Sequence, residues 1–76
     1  MNDVTDIDAR GLMCPLPVLR ARKALLGMPV GAVLRITADD PVAVIDLPHF
    51  CAEAGHDMIE MTQIDGGAWI YVIRRR

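Results

Sequence analysis

Apolar and polar residues alternate at the start of the chain and then change to a helical spacing. The stretch from Val4 to Ala9 alternates strictly, which predicts a strand with one buried face. After a glycine-containing turn, apolar residues recur every three or four positions, at Val18, Ala21, Leu25 and Met28. This spacing predicts an amphipathic helix that begins near Pro15 and ends near Gly27.

A second strand and a second helix are predicted next. The segment from Gly31 to Thr37 has the composition of a strand, and the Asp39-Asp40-Pro41 segment that follows is typical of a helix start. Proline inside a helix costs about 3 kcal/mol or more, because it removes a backbone donor and clashes with the preceding turn. Because of Pro48, we expect a short turn and then a helix from about Leu47 to Gly55.

The last part of the chain predicts a hairpin. Residues 58–64 and 68–73 are strand-like, and Asp65-Gly66-Gly67 between them is typical of a tight turn. The predicted order is therefore β-α-β-α-β-β. Strand-helix-strand crossovers favour parallel pairs, whereas a hairpin is antiparallel. We expect an α/β (α+β) two-layer sandwich, with a four-stranded mixed sheet and two helices on one face.

Length and composition limit where chemistry can occur. The chain has 76 residues, of which 53% are hydrophobic and 24% charged, and this fits one domain spanning residues 1–76. A domain of this size buries only about 60% of its unfolded surface. Two-domain enzymes are excluded, and any reaction must take place near the surface. Three aromatic residues are too few for a base-stacking platform.

The two cysteines and the start of the chain bear on the compartment. Cys14 and Cys51 can form one disulfide at most, whereas small secreted domains usually need several. Residues 1–6 are acidic and lack the cationic and apolar regions of a signal peptide. No apolar run approaches the roughly 18 residues of a membrane span. We expect a cytoplasmic protein with reduced thiols and no membrane contact.

Charge is distributed unevenly along the chain. The formal net charge is −2, yet the segment from Ala9 to Ala38 contains no acid. It contains five basic residues, Arg10, Arg20, Arg22, Lys23 and Arg35. Such a segment can steer an anionic partner, or it can be a solvated helix face with strand ends. The terminal residues 74–76, all arginine, suit a solubilising end or a contact with RNA phosphates. The overall acidity argues against direct nucleic-acid binding.

The segment from Cys14 to Pro17 places a thiol at the start of the first helix. Pro15 and Pro17 fit only the first turn, where backbone N–H groups have no partner within the helix. Cys14 is therefore predicted at or beside the N-cap. The positive end of the helix dipole stabilises a nearby anion, and cysteines in such positions tend to react as thiolates.

Neighbouring donors and charges complete this prediction. The N–H groups of Leu16 and Val18 are candidates to point at the sulfur, and Arg10 or Arg20 can add positive potential. We expect Cys14 to be a moderately activated, accessible thiol. The alternative is a small apolar residue packed under a turn, which describes many free cysteines.

The other polar candidates have structural explanations. Cys51 lies within the second helical pattern and is predicted to be a buried packing residue. His49 and His56 are seven residues apart, which does not match the spacing of helical zinc ligands, and we expect surface or capping roles. Asp39-Asp40 suits helix capping better than cation binding. No metal or cofactor is expected.

The run from Asp8 to Val18, followed by Arg22-Lys23-Ala24-Leu25, closely resembles the signature of the TusA-like (SirA/TusA/YedF) sulfur-carrier proteins. The likeness continues through Ala38-Asp39-Asp40-Pro41, residues 46–51 and the closing hairpin, so it covers essentially the whole chain. The fold of that family is a β-α-β-α-β-β two-layer sandwich, in agreement with the pattern.

The resemblance implies a sulfurtransferase that carries sulfur as a persulfide. The family's cysteine, matching Cys14, accepts sulfane sulfur from a donor such as a cysteine desulfurase or a rhodanese-type protein. It then passes the sulfur to a recipient in tRNA thiolation, molybdenum-cofactor synthesis or sulfur oxidation. The residues expected to support this cysteine are Gly11, Leu12, Pro15, Pro17, Arg10 and Arg20.

One departure concerns the surface beside the cysteine. Family members that act in tRNA thiolation often have charged residues where this chain has Met13 and Leu16. The partner surface is therefore expected to differ. The alternative function is a non-catalytic regulatory or interaction module that docks through the turn from Leu12 to Pro17.

Overall fold

The computed structural model describes residues 4–76, so the acidic N-terminal residues 1–3, which contribute to the expectation of no signal peptide, lie outside it. The predicted order of elements is confirmed. The strands are β1 (Val4–Asp8), β2 (Val33–Ala38), β3 (Asp57–Gln63) and β4 (Trp69–Arg74), and the helices are α1 (Leu16–Leu26) and α2 (Ala43–Ala54). A single 3-10 turn, Asp65–Gly67, joins the last two strands and confirms the hairpin.

The four strands form one mixed sheet in the order β1-β2-β4-β3. β1 and β2 are parallel, with Ile7 opposite Ile36, whereas β4 is antiparallel to both β2 and β3. Parallel pairing brings the carboxyl ends of β1 and β2 to the same edge of the sheet. The loops that follow these two strands are therefore neighbours, and this arrangement positions the candidate site.

The core lies between the helices and one face of the sheet. Alternate residues of the two central strands point inward, at Leu34, Ile36, Tyr71 and Ile73. The helices contribute a buried stripe at three- and four-residue spacing, Ala21, Leu25, Ala43, Leu47 and Cys51. The two-layer α+β architecture is the one predicted from the sequence. Within residues 4–76, no helix has the length and apolar character needed to cross a membrane.

The second helix differs from the prediction. α2 begins at Ala43 rather than near Leu47, and it continues through Pro48. The expectation of a separate turn before Leu47 was wrong, because the packing of this helix against the core outweighs the local preference of Pro48. Leu47 and Cys51 are both fully buried on the same stripe as Ala43, and burial of a large apolar side chain contributes about 1.5–3 kcal/mol. This offsets the missing donor at Pro48. The helix ends at Gly55, in the left-handed conformation with φ 81°.

Tyr71 provides a test of this packing. Its side chain is fully buried, and within residues 4–76 its hydroxyl oxygen has no hydrogen-bonding partner. A buried polar group without a partner keeps its desolvation cost. We expect Tyr71→Phe to raise the free energy of unfolding by roughly 1 kcal/mol, measured by urea denaturation. Tyr71→Leu, which also removes the ring, is expected to lower it. A lower stability for Tyr71→Phe would show that the hydroxyl makes a favourable contact.

Candidate functional site

Cys14 lies in the loop between β1 and α1 and is exposed. Pro15 is the N-cap of α1 and Pro17 is in its first turn, as the sequence predicted. Pro17 is buried and Leu12 packs against the core, so the loop is anchored on both sides of the cysteine. The thiol is therefore presented to solvent at the start of the helix. This accessibility agrees with the prediction, and the alternative of a cysteine packed under the turn was wrong.

Two carboxylates from the neighbouring loop hold the backbone on which Cys14 lies. Asp39 Oδ1 accepts the N–H of Gly11 at 2.9 Å, and Asp40 Oδ2 accepts the N–H of Cys14 at 2.6 Å. Gly11 has φ 83°, a conformation that favours glycine, and this orients its N–H toward Asp39. The other oxygen of Asp40 accepts the N–H of Val42 at 3.2 Å, just before α2.

The capping role predicted for Asp39-Asp40 was wrong, because the N-cap of α2 is Val42 and no side chain caps this helix. Asp40 joins the start of α2 to the Cys14 loop, and Asp39 bonds to the loop alone. Their position after β2 was a usable signal, since the loops after two parallel strands share one edge of the sheet.

A third carboxylate contacts the sulfur directly. The thiol of Cys14 donates to Asp46 Oδ2 in the first turn of α2, with Sγ and Oδ2 3.1 Å apart. This hydrogen bond raises the pKa of Cys14 above its ordinary value, and desolvation and the charges of Asp46 and Asp40 act in the same direction. The prediction of an activated thiol was therefore wrong. Sequence reasoning did not select Asp46, which is 32 residues from Cys14.

The helix start does not supply the predicted donors. The N–H of Leu16 donates to the carbonyl of Met13 at 2.8 Å, so it is occupied within the loop. The hydrogen bonds found at Cys14 are with carboxylates: its N–H donates to Asp40 and its thiol to Asp46. The polar contacts of Cys14 are therefore with carboxylates rather than with the N–H groups at the start of α1.

One of the two arginines predicted to support Cys14 is engaged elsewhere. Arg10 forms a two-point ion pair with Asp8, at 2.9 and 3.0 Å, which lowers the pKa of Asp8 to about 2. Arg35 pairs in the same way with Asp6 across β1 and β2. Arg20 lines a groove between α1 and β1. The basic segment is therefore partly neutralised by acids of β1.

The three arginines at residues 74–76 do not form a free tail. Arg74 ends β4, and Arg75 is half-buried and donates from Nε to the carbonyl of Leu25 at 2.6 Å. Arg76 pairs with Asp57 at 2.7 Å. The side chains of Arg75 and Arg76 therefore tie the end of the chain to α1 and β3, a structural role that the sequence did not predict.

The second cysteine and the histidines have the structural roles predicted for them. Cys51 is buried, with 2% of its surface exposed, and burial raises its pKa to about 11. His49 is exposed and pairs with Glu53, and Nδ1 of His56 accepts the N–H of Arg76. Over residues 4–76, no group of three or more His, Cys, Asp or Glu side chains is arranged to hold a metal ion.

An apolar rim flanks Cys14 and Asp46 in the two segments of the chain to which these residues belong. It is defined here as Met13 and Leu16 beside Cys14, together with Val42 and Ile45 at the start of α2. Their exposed fractions are 73%, 44%, 43% and 70%. Exposed apolar residues grouped in this way are typical of surfaces that bind another protein.

Comparison with known proteins places this geometry in context. The sequence profile described as Sulfurtransferase TusA matches residues 5–75. The chain is 40% identical over 70 residues to the Sulfur carrier protein TusA of Allochromatium vinosum, covering 92% of this chain and 91% of that one. It is 46% identical over 66 residues to a putative sulfur carrier protein of Neisseria meningitidis, with coverages of 87% and 88%.

A solved structure agrees with the fold. The crystal structure of a SirA-like protein from Desulfitobacterium hafniense superposes with a TM-score of 0.82 at 30% sequence identity. The match covers 93% of this chain and 95% of that one.

Proposed function

Because the chain belongs to the TusA/SirA-like family of sulfur carrier proteins, we propose that Cys14 accepts sulfane sulfur as a persulfide and passes it to a cysteine of a recipient protein. The observation that carries this proposal is the exposure of Cys14 on a loop held by Asp39 and Asp40. The other cysteine, Cys51, is buried. The donor is a cysteine desulfurase or a rhodanese-type protein.

The transfer is a thiol exchange in which atoms and electrons balance. The sulfur of Cys14 attacks the terminal sulfur of the donor persulfide, forming a new S–S bond while the donor's own S–S bond breaks. The donor cysteine is reduced to a thiol and takes up the proton lost by Cys14, and Cys14 is oxidised to the persulfide. A recipient thiolate then attacks the outer sulfur, and Cys14 leaves as a thiol after protonation.

The fold suits this reaction because the sulfur travels on a side chain. A carrier must present one atom to several proteins, and an exposed loop allows a partner cysteine to approach in line. The hydrogen bonds from Gly11 and Cys14 to the two aspartates keep the loop in one conformation without enclosing it. We place the protein in the cytoplasm, without direct nucleic-acid contact. The recipient belongs to tRNA thiolation, molybdenum-cofactor synthesis or sulfur oxidation.

The second candidate function is a non-catalytic interaction module that docks through the turn from Leu12 to Pro17. The exposure of Met13 and Leu16 favours a docking role for this surface. The two functions differ in what they require of the thiol. Partner binding that is unchanged in Cys14→Ala, together with no sulfur transfer in the parent protein, would favour the module.

Mass spectrometry after incubation with a persulfide donor tests the carrier function. We expect the parent protein to gain one sulfur atom, about 32 Da, as a persulfide. Cys14→Ser is expected to lose the adduct, and Cys51→Ala to retain it, with the modified peptide containing Cys14. Sulfur found only on Cys51, or no adduct on the parent protein, would contradict the proposal.

A further inference from the structure

Asp46 contacts the atom that the proposed function makes reactive. Its carboxylate belongs to α2, whereas Cys14 lies in the loop before α1. Asp46 Oδ2 accepts a hydrogen bond from the thiol, with Sγ and Oδ2 3.1 Å apart. An acid in the first turn of a helix also stabilises that helix by interacting with the positive end of its dipole. That role does not require contact with the sulfur, so the geometry points to an effect on the exchange reaction itself.

Asp46 has no basic partner within residues 4–76. The ion pairs of this part of the chain join Asp6 to Arg35, Asp8 to Arg10, Glu53 to His49 and Asp57 to Arg76. Asp46 belongs to none of them. Thiol exchange distributes negative charge over the attacking, central and leaving sulfurs. A carboxylate beside this chain of sulfurs opposes that charge, unless a cation lies close by.

The apolar rim indicates that such a cation comes from a protein that docks on this surface. A protein that packs against Met13, Leu16, Val42 and Ile45 displaces water from around the thiol. Removing water lowers the effective dielectric constant and strengthens any interaction with Asp46. An approaching anion is then rejected and an approaching cation is favoured, so Asp46 discriminates among partners by charge.

We propose that Asp46 is a specificity-determining residue, and that the cysteine which delivers sulfur to Cys14 lies beside a lysine or arginine that pairs with Asp46 on docking. This inference rests on the proposed function and specifies the surface chemistry of the donor. In the free protein, the same carboxylate holds Cys14 as a thiol. On docking, the donor's cation neutralises Asp46 and allows negative charge to develop on the sulfurs.

The proposal is tested with three small aliphatic disulfides: cationic cystamine, neutral 2-hydroxyethyl disulfide and anionic 3,3′-dithiodipropionate. In each reaction Cys14 attacks one sulfur, a mixed disulfide forms, and the released thiolate takes up the proton of Cys14. Initial rates are measured by mass spectrometry, with the adduct assigned to Cys14 by peptide mapping. The observable is the ratio of the cationic to the anionic rate.

This ratio isolates charge recognition. A change in the thiolate fraction of Cys14 alters the rates with all probes by the same factor, so it does not affect the ratio. A difference in intrinsic reactivity between the probes is the same for every variant, so it does not affect the comparison of variants. We expect the ratio to fall at least about fivefold in Asp46→Asn, since a unit charge at 4 Å contributes about 1 kcal/mol in water. High salt is expected to reduce the ratio of the parent protein. Asp46→Glu, which keeps the charge, is expected to recover part of the preference.

The matched control is Glu53→Gln, because Glu53 is an exposed acid two turns further along α2 that pairs with His49. It is expected to leave the ratio unchanged. An equal rate ratio in the parent protein and Asp46→Asn would overturn the proposal. It would also be overturned if Glu53→Gln lowered the ratio as much as Asp46→Asn, because the effect would then come from net charge. A failure of the carrier function would appear as the absence of a persulfide, while these disulfide rates would be unaffected.

Discussion

Replacing Asp46 with asparagine is expected to move the alkylation profile of Cys14 to lower pH and to increase its rate with iodoacetamide several-fold at neutral pH. The hydrogen bond to Asp46 raises the pKa of Cys14, and so does its negative charge. The asparagine amide removes the charge and can donate to a thiolate. Because the thiolate is the nucleophile, a lower pKa gives a larger reactive fraction at any pH below it.

The increase in rate will be smaller than the increase in thiolate, because intrinsic nucleophilicity falls with the pKa of a thiol. The full profile is therefore more informative than one rate. It is recorded across the neutral and alkaline range by mass spectrometry, with the pH of half-maximal rate as the observable. Glu53→Gln removes an acid from the same helix without contact with Cys14, and it should leave that pH unchanged. An unshifted profile for Asp46→Asn would mean that the contact is absent in solution.

The parts of the structure that depend on near neighbours in the sequence could be predicted. The buried stripe at Ala21 and Leu25, the inward pair Leu34 and Ile36, and the terminating Gly55 follow from periodicity and backbone preference. The position of Cys14 before a helix follows in the same way from the two prolines. Each of these features is encoded within a few residues.

Contacts between distant segments could not be predicted in this way. The state of the Cys14 thiol depends on Asp46 and Asp40, which are 32 and 26 residues away. A local argument finds only the helix N-terminus, and it therefore gives the wrong direction for the pKa. Pro48 is a second example, because packing of its buried neighbours outweighs its local preference. In both places the tertiary structure reverses the local prediction.

An exposed thiol with a raised pKa suits a carrier. A persistent thiolate on the surface would react with oxidants and stray electrophiles as readily as with the correct donor. Keeping Cys14 protonated in the free protein limits these side reactions. The loop remains accessible, since Asp39 and Asp40 hold its backbone and leave the sulfur uncovered. In the proposed mechanism, reactivity then depends on the partner rather than on Cys14 alone.

Stability is expected to fall by about 2 kcal/mol between pH 9 and pH 11 because of Cys51 alone. Burial raises the pKa of this thiol from 9.0 to about 11. Within that interval the unfolded chain releases the thiol proton while the folded protein retains it. The unfolded state therefore binds fewer protons, and the free energy of unfolding decreases as pH rises. For a domain of this size the total is about 4–11 kcal/mol, so the loss is substantial.

Urea denaturation across this pH range, compared between the parent protein and Cys51→Ala, measures the effect. The alanine variant loses some packing, which lowers its stability equally at every pH. It has no thiol at position 51, so its free energy of unfolding lacks the pH dependence that the Cys51 thiol contributes. Tyr71 and Cys14 titrate in both proteins, so their effects cancel in the difference between slopes. Asp46→Asn is the complementary control, because it changes the titration of Cys14 and not that of Cys51, and it should leave the Cys51 contribution to the slope intact. Equal slopes in the parent protein and Cys51→Ala would mean that solvent reaches the Cys51 thiolate without unfolding.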